Sequence, residues 1–114
     1  MTPQPPMPSH SERAILGCVM IHPDAMETIA VKASDFSDER HVYTWQLMTT
    51  RHSQGLPLDM YSIVEGLEDE KEIAKVGGLA YVSSHGDVAC IQKNLAYQIR
   101  QMKERTSRIN LINE

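Results

Sequence analysis

No run of this sequence is apolar for the roughly 20 residues that a helix needs to cross a bilayer. The opening, Met1 to Pro8, has neither the basic start nor the apolar stretch of a secretory leader, so a cytoplasmic location and no membrane partner are expected. Cysteine is scarce: Cys18 and Cys90 could pair only once, which excludes a disulfide-stapled framework and favours buried thiols in a reducing compartment. Aromatic residues make up only 5% of the chain, whereas seven methionines supply adaptable filling for helical cores or for surfaces that repack on binding.

Signatures of catalysis are missing too. There is no G-x-x-x-x-G-K-[ST] and no G-x-G-x-x-G, so the backbone cradles that hold nucleotide phosphates have no counterpart; Gly77-Gly78 follows no strand and serves better as a turn. The histidines (His10, His22, His41, His52, His85) form no H-E-x-x-H and no i, i+4 pair, and C-x-x-C is absent, which argues against zinc. His41 and His52 read as two separate surface side chains. Ser83-Ser84-His85-Gly86-Asp87 holds the letters of a triad, but each partner must reach the next through space, and neighbours along a chain do not. Glu68, Asp69, Glu70 and Glu72 read as a solvated charge run. No cofactor and no catalytic residue are expected, and a small enzyme built on His85 or Glu70 is disfavoured.

Charge narrows the partners further. Residues 1–90 hold six Lys/Arg against thirteen Asp/Glu, whereas residues 91–114 hold five against two. An acidic body repels phosphates, so no direct nucleic-acid binding is expected. A helix-turn-helix across residues 63–82 fails for a related reason, because residues 78–84 carry no Arg, Lys, Asn or Gln to reach base edges.

What is present is helical periodicity. Four prolines among the first eight residues make residues 1–8 an extended, flexible arm. Ser9-His10-Ser11-Glu12 reads as a capping box opening a helix on Ala14, Ile15, Cys18 and Val19, which Pro23 stops. Gly17 inside it costs about 1 kcal/mol against Ala, and makes sense if another helix packs closely there. Pro23 can open a second short helix with Ala25, Met26, Ile29 and Ala30 on its apolar face. Phe36 is expected to plug the core. A third helix begins near Ser37 or Asp38 and ends before Gly55, with Val42, Trp45 and Met48 as its stripe, widened by Tyr43 and Leu47. Asp59 caps a fourth, carrying Met60, Ile63, Val64 and Leu67. After the charge run come a short helix through Ile73 and Val76, the Gly77-Gly78 reversal, Leu79 to Val82, and a loop at His85-Gly86-Asp87. A last helix runs from about Cys90 to the end, with Ile91, Leu95, Ile99, Met102 and Ile109 along one stripe.

The expected fold is therefore all-α: a compact bundle of about six helices ending in a longer amphipathic helix. Its parts are the arm (1–8), a globular helical domain (9–89) and a C-terminal helix (90–114). That last stripe has two readings. Leu95, Ile99, Met102 and Ile109, with Lys93, Arg100, Lys103 and Arg105 as a basic rim, form a seam for self-association or partner binding; equally, half of the stripe packs on its own bundle.

The ordered motifs point to a family. Ser11-Glu12-Arg13-Ala14-Ile15-Leu16-Gly17, Asp35-Phe36 with His41-Val42-Tyr43, Gly55-Leu56-Pro57-Leu58-Asp59, and Val76-Gly77-Gly78-Leu79-Ala80-Tyr81-Val82 stand in the order found in the N-terminal domain of DnaB-type replicative DNA helicases, which this sequence resembles; a helix with Tyr97 follows. Glu12, Ala14, Leu16, Gly17, Phe36, Asp59, Gly77 and Gly78 carry the likeness as structural positions. The resemblance implies a helical bundle that joins a collar of paired domains, contacts primase and helicase loader, and uses a C-terminal helical hairpin, of which residues 90–114 would be the first arm, for dimer contacts. ATPase and translocation would belong to a separate motor domain. Arg13 departs from the family's usual acidic or polar residue and reads as an exposed position. Two roles are open: collar domain of a helicase acting as oligomerisation scaffold and docking site, or a free-standing, phage-type regulator that binds a helicase or primase.

Overall fold

The structure, a computed structural model, describes residues 8–67 and 69–112; the proline arm expected at residues 1–8 lies outside them except for Pro8. Among the described residues there are six α-helices and no strand: α1 (Pro8–Ile21), α2 (Glu39–Ser53), α3 (Met60–Gly66), α4 (Glu70–Lys75), α5 (Leu79–Ser84) and α6 (Leu95–Ile112). The all-α bundle ending in its longest helix is the fold anticipated from periodicity.

Helix α1 is the axis of the domain. Ala14 through Met20 are all buried, so this helix is enclosed on every side rather than on one face. Helix α6 lies along it, and α2, α3 and the turn at His85–Val88 close the remaining sides. Phe36 does plug the core, its ring 5.4 Å from that of Trp45. Along α2, Trp45 and Met48 are buried as expected, but His41 and Thr44 complete the buried line, and Val42, Tyr43 and Leu47 are only half-buried.

The helix ends follow from local chemistry. Asp38 accepts from the Arg40 amide at 2.9 Å and Asp69 from the Lys71 amide at 2.8 Å, each capping free N–H groups. Asp59 caps α3 as expected, through the Ser62 amide at 3.2 Å. Gly77 and Gly78 have φ of 95° and 93°, a region that side-chain-bearing residues avoid, and this permits the reversal from α4 into α5.

Three expectations need correction. The segment after Pro23 is a single five-residue 3₁₀ turn, Pro23–Glu27, burying Ala25 and Met26, while Ala30 is exposed. The last helix begins at Leu95 and not near Cys90: the Cys90 amide donates to the Ala14 carbonyl at 3.2 Å, Ile91 is extended (φ −74°, ψ 153°), and a 3₁₀ turn at Gln92–Asn94 precedes the helix. The extended backbone at Ile91 cannot be part of an α-helix, so the helix starts only after it. Glu12 is also no capping residue, because its carboxylate points into the core, as described next.

Candidate interaction face

The seam proposed on α6 divides between core and solvent. Leu95 and Met102 are buried, in the core cluster that α6 shares with α1, so for these two the packing alternative holds; Thr106, which interrupts the apolar spacing, is buried as well and donates to the Asp35 carbonyl at 2.6 Å. Ile99 and Ile109 are half-buried. Of the basic rim, Lys93 and Arg100 are exposed and Arg105 is half-buried. Lys103 donates to the Ala30 carbonyl at 2.6 Å, with its ammonium 3.8 Å from Asp35.

The apolar surface left in water is different from the one expected. Ile91 and Tyr97 are 59% and 55% exposed at the start of α6, next to exposed Lys93, Ala96 and Arg100. On the side of α6 that carries Leu95 and Ile99, a shallow depression of about 380 Å³ runs against the connector after the first 3₁₀ turn, lined by Ile29, Ala30, Ala96, Ile99 and Lys103. An aromatic side chain with a polar tip, a β-branched residue and two cations suit protein contact. Tyr97 was legible only as part of a motif.

Elsewhere in the domain, the sequence motifs converge. The Glu12 carboxylate accepts from the Ser37 amide (3.0 Å), the Ser37 hydroxyl and the Asp38 amide (3.3 Å), and lies 2.8 Å from His41 Nδ1. The other ring nitrogen of His41 lies 2.8 Å from the Tyr81 hydroxyl. Burial and the nearby carboxylates Asp38 and Glu12 outweigh Arg40 and Arg13 and hold the Tyr81 phenol above its usual range, so it stays a donor. Nδ1 of His41 thus donates to the Glu12 carboxylate, and Nε2 shares a hydrogen bond with the Tyr81 hydroxyl. Glu12 and His41 are buried completely or almost so. His41 is therefore a core residue, not the surface histidine expected, and it is far in role from exposed His52.

A second strand of polar contacts joins this one. Arg13, expected to be exposed, is half-buried and donates through Nη2 to Ser84 Oγ (2.6 Å) and through Nε to His85 Nδ1 (3.3 Å). His85 is wholly buried, and its pKa is lowered to about 3, first by burial and then by the neighbouring His41, Arg13 and Arg40. Arg40 lies 4.0 Å from the centre of the Tyr81 ring and pairs with Asp38 at 2.7 Å; that partner lowers the Asp38 pKa to about 2. Gly77 lets the Tyr81 ring and the Arg40 stem approach, since a Cβ there would come within 2.7 Å and 2.9 Å of them. Gly17 does the same on α1, where a Cβ would land on the His85 carbonyl oxygen and lie 2.8 Å from the Ala89 methyl. So three motif blocks, around Glu12, His41 and Tyr81, are one hydrogen-bonded unit. A carboxylate, an imidazole and a phenol in line can pass a proton, but here the carboxylate and the imidazole are sealed in the core and serve to fix α1, α2 and α5 in place. No cluster of three or more potential metal ligands occurs among the described residues.

With that geometry in view, the comparisons with known proteins are decisive. Residues 4–104 match the DnaB-like helicase N terminal domain family. The chain belongs to that family. Over 104 residues this DnaB-like domain is 26% identical to the replicative DNA helicase DnaB of Geobacillus stearothermophilus, covering 90% of the chain but 23% of that protein. It thus spans about a quarter of the length of that relative. The same DnaB-like fold is seen in the N-terminal domain of DnaB helicase from Mycobacterium tuberculosis, with a TM-score of 0.82 at 20% identity over 96% of this chain and 80% of that one. A DnaB-like replicative helicase whose structure was described with its interactions with primase matches with a TM-score of 0.77 at 17% identity, over 92% of this chain and 25% of that one.

Proposed function

We propose that this DnaB-like domain acts in DNA replication as a non-catalytic collar module, an oligomerisation scaffold and docking site for primase or a helicase loader in the cytoplasm. The observation that carries this reading is the family match over residues 4–104, together with the exposed side chains Ile91, Tyr97 and Arg100 around the start of α6. The buried unit of Glu12, His41 and Tyr81 is built for rigidity, and a rigid platform loses little entropy when a partner docks. The sequence contains no phosphate-cradling loop, so ATP hydrolysis is assigned to the motor part of a helicase rather than to this domain. Its acidic body supports protein partners over direct contact with DNA.

Two measurements test the reading. Sedimentation velocity of the domain should show reversible self-association, and immobilised domain should retain the cognate primase or loader. A strict monomer that retains neither would overturn it. ATP turnover by this polypeptide alone would do so as well.

A further inference from the structure

The segment His85–Cys90 is laid directly on α1. Gly17 allows the His85 carbonyl and the Ala89 methyl to approach, and the Cys90 amide donates to the Ala14 carbonyl, one turn before Cys18. This brings together the only two cysteines of the chain, separated by most of its length. Both are free thiols: Cys18 is buried and Cys90 is half-exposed. The two thiols are neighbours, and burial first, with Cys90 beside it, holds the proton on Cys18. The arrangement is asymmetric in a useful way, with one reachable sulfur and one sheltered sulfur against it.

We propose that Cys18 and Cys90 form a dithiol site that a small disulfide of the glutathione class oxidises to an intramolecular disulfide, clamping the segment that leads into α6 onto the central helix. In the first exchange the Cys90 thiolate attacks one sulfur of the small disulfide. A Cys90–S–S–R bond forms as the R–S–S–R bond breaks, and one RS⁻ leaves. In the second, Cys18 gives up its proton to solvent, attacks the Cys90 sulfur and expels the other RS⁻. The two protein sulfurs lose two electrons, the small disulfide gains them, and both thiol protons end on two RSH molecules. Burial keeps both thiols protonated, with the Cys18 pKa pushed up to about 12. Attack by either sulfur is therefore slow at neutral pH and speeds up as pH rises.

The test uses the full native chain incubated with oxidised glutathione at mildly alkaline pH, then quenched with iodoacetamide in denaturant and weighed intact. The expected result is loss of both alkylatable thiols with no glutathione retained, and a higher melting temperature that returns to its original value on reduction. Cys18→Ala should instead hold a stable glutathione adduct on Cys90, and Cys90→Ser should leave Cys18 unreacted while folded. Two alkylatable thiols, a glutathione adduct retained on the unsubstituted chain, or disulfide-linked dimers on a non-reducing gel would each overturn the proposal. The mass of the unsubstituted chain decides the matter even if a variant folds poorly.

Discussion

Glu12 and His41, 29 positions apart in the chain, meet in the core with carboxylate Oε1 2.8 Å from the imidazole Nδ1. Every other contact of that carboxylate is also with a donor, from Ser37 or Asp38. Replacing Glu12 with Gln puts an NH₂ where only acceptors fit. Glu12→Gln should lower unfolding stability by about 2–4 kcal/mol, because buried donors lose their partner. Urea unfolding of the two proteins measures this directly. A loss below about 0.5 kcal/mol would show that the pair is not a support of the fold.

Glycine positions give a paired expectation. Gly17→Ala should destabilise by about 1–3 kcal/mol despite the better helix propensity of Ala, because the added methyl meets backbone and a short side chain that cannot move aside. At Gly66 the nearest atom is the end of the Arg51 side chain, which can swing away. Gly66→Ala should therefore be neutral or stabilising by up to about 1 kcal/mol. Thermal melts of both variants provide the comparison.

Acid sensitivity follows from His85. Its folded pKa, about 3, lies below that of an exposed histidine, so the unfolded chain binds a proton that the folded chain refuses. The stability that this gives is complete above about pH 6.5 and erodes as pH falls toward 3, by at most about 1.4 kcal/mol per pH unit. Asp38 adds a second loss below about pH 4, since its lowered pKa means the unfolded state protonates first. Stability curves at pH 7, 5 and 4 should decline in that order, and His85→Gln should flatten the upper part of the decline.

On α6 two substitutions separate docking from folding. Met102→Asp places a charge in the core and should unfold the domain. Tyr97→Asp alters an exposed position, should shift stability by no more than about 0.5 kcal/mol, and should abolish partner capture or self-association. Circular dichroism melts alongside sedimentation and pull-down resolve the two. Retained binding by a folded Tyr97→Asp variant would move the docking face elsewhere.

Much of this architecture was readable beforehand, and the gaps have physical causes. Asp38, Asp59, Gly77 and Pro23 act within a turn or two of themselves, so their roles as caps, reversal and stop depend on nearby atoms alone. Phe36 and Trp45 are large and apolar wherever the chain takes them. Glu12, Arg13, His41 and His85 were misjudged because each is polar, and polarity by itself argues for solvent. Their burial is tolerable only through partners 25 or more positions away, which local periodicity does not register. On α6 the alternative that half of the stripe packs on its own bundle describes Leu95 and Met102, with Ile99 and Ile109 half-buried. Spacing alone does not say how much of an apolar arc meets a neighbour, and here the packing of α6 on α1 decides it.

The bonded unit also sets an order of events at the ribosome. Its links join Glu12 to His41, His41 to Tyr81 and Arg13 to His85, across 29, 40 and 72 positions. A nascent chain that has only reached α2 holds a carboxylate without its full set of donors, and an imidazole still waiting for the phenol. Helix α1 therefore cannot settle into its final bed until residues beyond His85 have emerged, so the domain should collapse late and all at once. Its folding should be slow for so helical a molecule, because the contacts that reward burial close such long loops.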